Sequence, residues 1–196
     1  MVIYLDTETT GLYPGQICQL SYIIQTATEV RAKNFFFTVD GVEYGAYLVH
    51  GFSPEKLKVL SDGKRFSDFI DEIENDLTSA DLIVSHNISF DLGFLREEFL
   101  RSGRVLYLKD TFCSMKNFVP VCKIERKSGG YKYPKLSELT SFFYITDLEI
   151  NRATEKLFGV ELNYHDARFD TTAVYLAMNC AIQETEAANP VKQALL

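Results

Sequence analysis

Cysteine is sparse and unpaired in this chain: Cys18, Cys113, Cys122 and Cys180 include no CxxC spacing. Neither a zinc site nor a disulfide scaffold is indicated, and buried or half-buried thiols are expected instead. Long apolar runs are also missing, which excludes a membrane-spanning helix. The opening Met1-Val2-Ile3-Tyr4-Leu5-Asp6 carries no basic segment or cleavage site of a secretion signal, so a cytoplasmic location is expected. No GxSxG elbow, P-loop or GxGxxG fingerprint is present. A Cys113–His86 nucleophilic pair is compatible with the spacing, but nothing marks that thiol as activated.

Positive charge is in deficit. Twenty Lys and Arg face 27 Asp and Glu, for a net charge of −7. Tight non-specific binding to long duplexes is therefore not expected. The cations are clustered, however. Lys116, Lys123, Arg126, Lys127, Lys132 and Lys135 share twenty residues with one acid, Glu125. A local phosphate track and a solvated loop are both compatible with that segment.

With 196 residues and 46% apolar content, the chain is long enough to bury a core without staples. Val2–Leu5 reads as a central strand. Segments 17–25 and 32–39 read as an antiparallel pair. Ser53-Pro54 marks a helix start. Phe66, Phe69, Ile70, Ile73 and Leu77 recur at helical spacing, as do Phe90, Phe94, Leu95 and Phe99 before Gly103. Strands are predicted over 82–84 and 105–108. Further helices are predicted after Pro134, from the Thr146–Glu149 capping box to Gly159, and from Ala167. The expected fold is an α/β domain over residues 1–183 with a mixed sheet and strand 1 at its centre. Beyond residue 184 the small, polar composition suggests a flexible tail.

Three segments carry the chemistry. Asp6 and Glu8, two apart on a strand, point to one face. Two such anions about 5 Å apart repel by about 3 kcal/mol at an effective dielectric near 20. Asp91 closes His86-Asn87-Ile88-Ser89-Phe90-Asp91, and His165 precedes Asp170 by five residues. Carboxylates in this number call for hard cations, Mg²⁺ or Mn²⁺. His165, on a loop ahead of a helix, is the candidate base for a water. Each segment alone has a plainer reading: a solvated strand end, a dipole-favoured Asp91, a surface histidine. His50 receives that plain surface reading, and Asp147-Leu148-Glu149 is explained by capping alone.

Together the segments resemble the motifs of the DEDDh exonucleases: Asp6-Thr7-Glu8-Thr9-Thr10-Gly11-Leu12, then His86-Asn87 with Phe90-Asp91, then His165-Asp166-Ala167 with Asp170. The segment 133–139 is also similar to one in polymerase-associated members. The resemblance implies a ribonuclease-H-like five-stranded mixed sheet and 3′→5′ release of nucleoside 5′-monophosphates. It also implies two divalent ions, with Asp6 bridging them, Glu8 and Asp170 completing the first site, and Asp91 at the second. Thr9, Gly11, Leu12 and Phe90 would meet the terminal nucleotide, and His86 and Asn87 are candidate substrate contacts. The expected substrate is a single-stranded or frayed DNA 3′ end, with a polymerase or replication protein as partner and no membrane. An RNA 3′ exonuclease and a non-catalytic nucleic-acid or polymerase-binding module are the alternatives.

Overall fold

Alternation along the first strand decides the architecture. In the computed structural model, which describes residues 1–160 and 164–196, β1 (Val2–Thr9) is buried along nearly its whole length. Ile3 and Leu5 enter one core, while Val2 and Tyr4 enter the other. A strand with both faces covered belongs at the centre of a sheet. β2 (Ile17–Gln25) and β3 (Val30–Phe36) extend the sheet antiparallel on one side. β4 (Leu82–Ser85) and β5 (Thr111–Cys113) extend it in parallel on the other. The order β3-β2-β1-β4-β5 is the mixed five-stranded sheet expected from the sequence.

Helices cover both faces. α1 (Tyr44–His50) and α2 (Pro54–Leu60) follow β3, and the Ser53 hydroxyl accepts from Lys56 N–H to cap α2, with Pro54 in its first turn. The predicted 66–77 stripe is split. Phe66–Asp68 forms a separate 3₁₀ turn before α3 (Ile70–Ser79). α3 and α4 (Ile88–Arg101) pack Ile73, Leu77, Phe94 and Phe99 beneath Ile3 and Leu5. Short helices α5 (Ser114–Asn117) and α6 (Val119–Cys122) precede α7 (Leu136–Phe142) and α8 (Asp147–Phe158). Thr146 and Glu149 close a reciprocal capping box on α8, so the Asp147–Glu149 pair is accounted for by capping. α9 (Ala167–Glu184) lays Val174, Ala177 and Met178 over Val2 and Tyr4.

Two further sequence expectations change here. Residues 105–108 are not a strand. Val105 and Tyr107 are 59% and 76% exposed, and β4 pairs instead with Thr111–Cys113. The segment beyond Glu184, expected as a flexible tail, carries a 3₁₀ turn (Glu186–Ala188) and α10 (Asn189–Ala194). Ala188 and Val191 are fully buried against the α9 face, and those apolar contacts hold the segment to the domain. All four cysteines are free, buried or half-buried. Among the described residues, no helix is long and apolar enough to cross a membrane.

Candidate active site

The parity that builds the core also builds the site. Asp6 and Glu8 continue the Val2–Tyr4 row of β1 and so face α9, whose first turn presents Asp170. One carboxylate oxygen from each of Asp6, Glu8 and Asp170 lies within 4.8 Å of the others. Thr7 points to the opposite face, toward α4. There its hydroxyl donates to Asp91 at 2.8 Å, and Ser85 at the end of β4 donates to the other oxygen at 2.5 Å. The structure therefore gathers three of the four expected carboxylates and anchors the fourth from the opposite side of β1. Among the charged neighbours, Asp91 nonetheless acts most strongly on Asp6.

Electrostatics mark this cluster as unsatisfied without a cation. Burial chiefly, and then Asp91, Asp170 and Glu8, push the Asp6 carboxyl well above the ordinary range. Burial and the facing aspartates raise Glu8 to about 8. Burial raises Asp170 to about 7, moderated by the His165 backbone N–H that donates to it at 3.0 Å. Burial raises Asp91 to about 6 even with two hydroxyl donors. Mutual repulsion among buried oxygen donors fits a hard divalent ion, which keeps every carboxylate ionised.

His165 is exposed on the loop ahead of α9, with a left-handed backbone (φ +68°). It borders an open cavity of about 460 Å³ shared with Asp6, Asp170, His86 and Lys135. The start of α9 is fixed by contacts that sequence reasoning missed. Buried Gln19 on β2 donates to Asp166 at 3.0 Å and accepts the Ala167 N–H at 3.1 Å. Arg168 then grips Asp166 with two nitrogens, at 2.9 and 2.8 Å, while its guanidinium lies over Phe36. No local signal tied Gln19 to residue 166, because the pairing spans β2 and α9.

His86 ties two segments together. The His86 Nδ1 pairs with the Ser114 hydroxyl at 2.9 Å, and its Nε2 meets the Pro134 carbonyl at 3.0 Å. Both ring nitrogens are engaged, which leaves none for Cys113. Burial lowers the ring to about 4, so it is neutral at neutral pH. Asn87 adopts the left-handed conformation that starts α4 (φ 76°) and makes no side-chain cap.

A second cavity, about 420 Å³, opens on the other side of the carboxylates between Glu8, Leu12, Glu43, Val49, His50 and Phe90. Thr9 is buried, its hydroxyl donating to the Gly11 carbonyl at 2.8 Å. Leu12 is 79% exposed at the rim. Gly11 lies against the Glu43 carboxylate, so a Cβ there would require that exposed side chain to move aside. His50 is not the surface residue its context suggested. Its Nδ1 accepts the Phe52 N–H at 3.0 Å, so Nε2 carries the proton that meets the Thr9 carbonyl at 3.1 Å. The ring thereby pins the end of α1 to motif one, and burial lowers its pKa.

Comparison with known proteins agrees with this geometry. The family model described as Exonuclease matches residues 3–177. DNA polymerase III subunit epsilon of Salmonella typhimurium is 31% identical over 186 residues, covering 90% of this chain and 70% of that one. The epsilon subunit of Escherichia coli K12 is 30% identical with the same shares. The metal-free Escherichia coli ExoI–ssDNA complex has a TM-score of 0.70 at 17% identity, covering 98% of this chain and 42% of that one. The nuclease domain of 3′hExo, a DEDDh family member bound to rAMP, has a TM-score of 0.54 at 10% identity, covering 93% and 92%. These two likenesses establish the fold, and the chain spans less than half of the ExoI chain. By family match and relatives together, the chain belongs to the exonuclease family, as a 3′→5′ exonuclease.

Proposed function

We propose that this exonuclease is metal-dependent and removes nucleoside 5′-monophosphates from single-stranded or frayed DNA 3′ ends. The observation that carries the reading is the convergence of Asp6, Glu8 and Asp170 within 4.8 Å, with His165 and Asp170 on the same cavity wall. Asp6, Glu8 and Asp170 would hold one Mg²⁺ or Mn²⁺, and Asp91 a second through water. When bound, these ions supply Lewis acidity at the phosphoryl and leaving oxygens.

The chain's own groups do the rest. The cavity bounded by Leu12, Glu43, His50 and Phe90 receives the terminal nucleoside, with Leu12 and Phe90 against the base. That placement sets the scissile phosphate at the carboxylates, between the two cavities. His165 accepts the proton of the attacking water as the new P–O bond forms and the bond to the 3′ oxygen breaks. The Asp170–His165 backbone hydrogen bond holds base and ligand in a fixed relation. His86 lines the wall of the cavity that His165 borders, with both ring nitrogens engaged.

DNA is favoured over RNA because the relatives quoted above are named as DNA polymerase subunits. For the same reason a DNA polymerase is the protein partner we propose. The test is release of mononucleotides from a 3′-labelled oligodeoxynucleotide with and without Mg²⁺ or Mn²⁺. An RNA of the same sequence runs alongside. Expected are strict metal dependence, faster release from DNA, and loss of at least 10³-fold, on the order seen when a catalytic group is removed, in Asp6→Ala. Metal-independent release, or full activity in Asp6→Ala, rejects the reading.

A further inference from the structure

The segment between motifs two and three is a built element. Glu125 and Tyr131 form an antiparallel bridge. Lys132 N–H donates to the Ile124 carbonyl at 2.9 Å and Arg126 N–H to the Gly130 carbonyl at 2.9 Å. Gly129 and Gly130, both at positive φ, turn the chain at the tip. The result is a short hairpin with Arg126 and Lys127 exposed near its end.

Its base stands at the catalytic cleft. His86, on motif two, holds both flanks of the segment through Ser114 and Pro134. Lys135 lines the same cavity as Asp6, His165 and Asp170. Lys132 is neutralised by Glu138 at 2.5 Å. Lys116, Lys123, Arg126, Lys127 and Lys135 form no ion pair among the described residues, and all five are exposed. Tyr131 and Tyr133, 44% and 51% exposed, sit between the cations. Unpaired cations interleaved with exposed aromatic rings suit a single strand: charges track the backbone and bases stack on the rings.

We infer that this hairpin is an arm that grips the phosphates of the single strand upstream of the 3′ end. The inference rests on the proposed function for its direction. With the terminal nucleoside in the apolar cavity, the remaining strand leaves past Lys135 toward the hairpin. Five residues lead from Lys135 out to the turn at Gly130, a reach of at most about 17 Å at ~3.3 Å per residue. At ~3.4 Å per stacked nucleotide, the arm attends to about the first five nucleotides upstream. The chain can thus hold a substrate despite its net charge of −7, because its unpaired cations are concentrated where the strand runs. An acidic segment of a partner protein is the competing occupant.

The experiment compares wild type with Arg126→Gln/Lys127→Gln on a fluorescent 20-nucleotide oligothymidylate and on dithymidylate. Binding of the 20-mer is read by anisotropy in chelator, where no hydrolysis is needed, across a salt series. Each phosphate contact contributes about 0.7 to the slope of log affinity against log salt. The double variant is therefore expected to lose about 1.4 from that slope and about tenfold in affinity near 0.15 M salt. With metal, KM for the 20-mer rises similarly, while kcat and turnover of dithymidylate stay at wild-type values. An unchanged slope and affinity overturn the arm and leave an acidic protein segment as the alternative. Equal damage on both substrates overturns it too, since the effect would then lie in the site. Wild type inactive on both substrates sinks the catalytic reading, and the anisotropy result still judges the arm.

Discussion

The side chain of Thr7 shows how one residue of a motif can serve from the opposite face. Asp6 and Glu8 are readable as a convergent pair from strand parity alone, and the structure brings them together with Asp170. The same parity sends Thr7 away from them, where its hydroxyl meets buried Asp91 at 2.8 Å. A hydrogen bond across 84 residues leaves no mark in a single sequence, and neither does the Ser85 donor. Outer-shell partners of this kind typically carry about 10–100-fold in metal affinity or activity. Thr7→Val keeps the β-branched shape and removes the donor, so Mn²⁺ half-saturation is expected to rise about tenfold. Titration of activity against Mn²⁺ measures it. Unaltered half-saturation would show that Asp91 needs no orientation from β1. His50 teaches the same lesson in reverse: a short segment suggested a solvated ring, and one of its two backbone partners, Thr9, lies 41 residues away.

At the level of elements, legibility follows how local the determining force is. Caps are local, and α2, α8 and α9 begin where the Ser53, Thr146 and Asp166 side chains accept from the first helical turn. β5 was misplaced because the apolar run 105–108 has no sheet neighbour, whereas Thr111–Cys113 finds β4. Pairing is a tertiary fact. The segment after Glu184 was misread for a related reason: two buried apolar residues among polar ones give no periodic signal. α10 packs beneath Val2 and Leu82, far along β1 and β4 from the strand ends that bear Glu8 and Ser85. Deleting residues 185–196 uncovers that face. Loss of Val191 burial alone costs roughly 2 kcal/mol, which is about 4–8 °C of Tm at this chain length. Calorimetry is expected to show that drop, with kcat at 20 °C unchanged. An unaltered Tm would mean that the segment contributes no net stability.

For the whole molecule, the site sets how stability responds to pH. A folded state that holds its carboxyl protons more tightly than the unfolded chain loses stability as pH rises through the raised pKa values. Asp6, Glu8, Asp91 and Asp170 are all raised, with Asp170 at about 7 and Glu8 at about 8. His86 and His50 are lowered and act with the opposite sign, but only below the ordinary histidine value of 6.5. Between pH 6.5 and 8 the buried carboxylates therefore dominate. In chelator, Tm is expected to fall across that window. Each proton retained by the folded state is worth about 1.4 kcal/mol per pH unit, or about 3–6 °C per pH unit. Millimolar Mn²⁺ should remove the slope, because an ion held by the carboxylates keeps them ionised at every pH in the window. A Tm in chelator that stays flat or climbs from pH 6.5 to 8 would show that these carboxylates are not mutually strained in the folded protein, and the physical case for a cation among them would go with it.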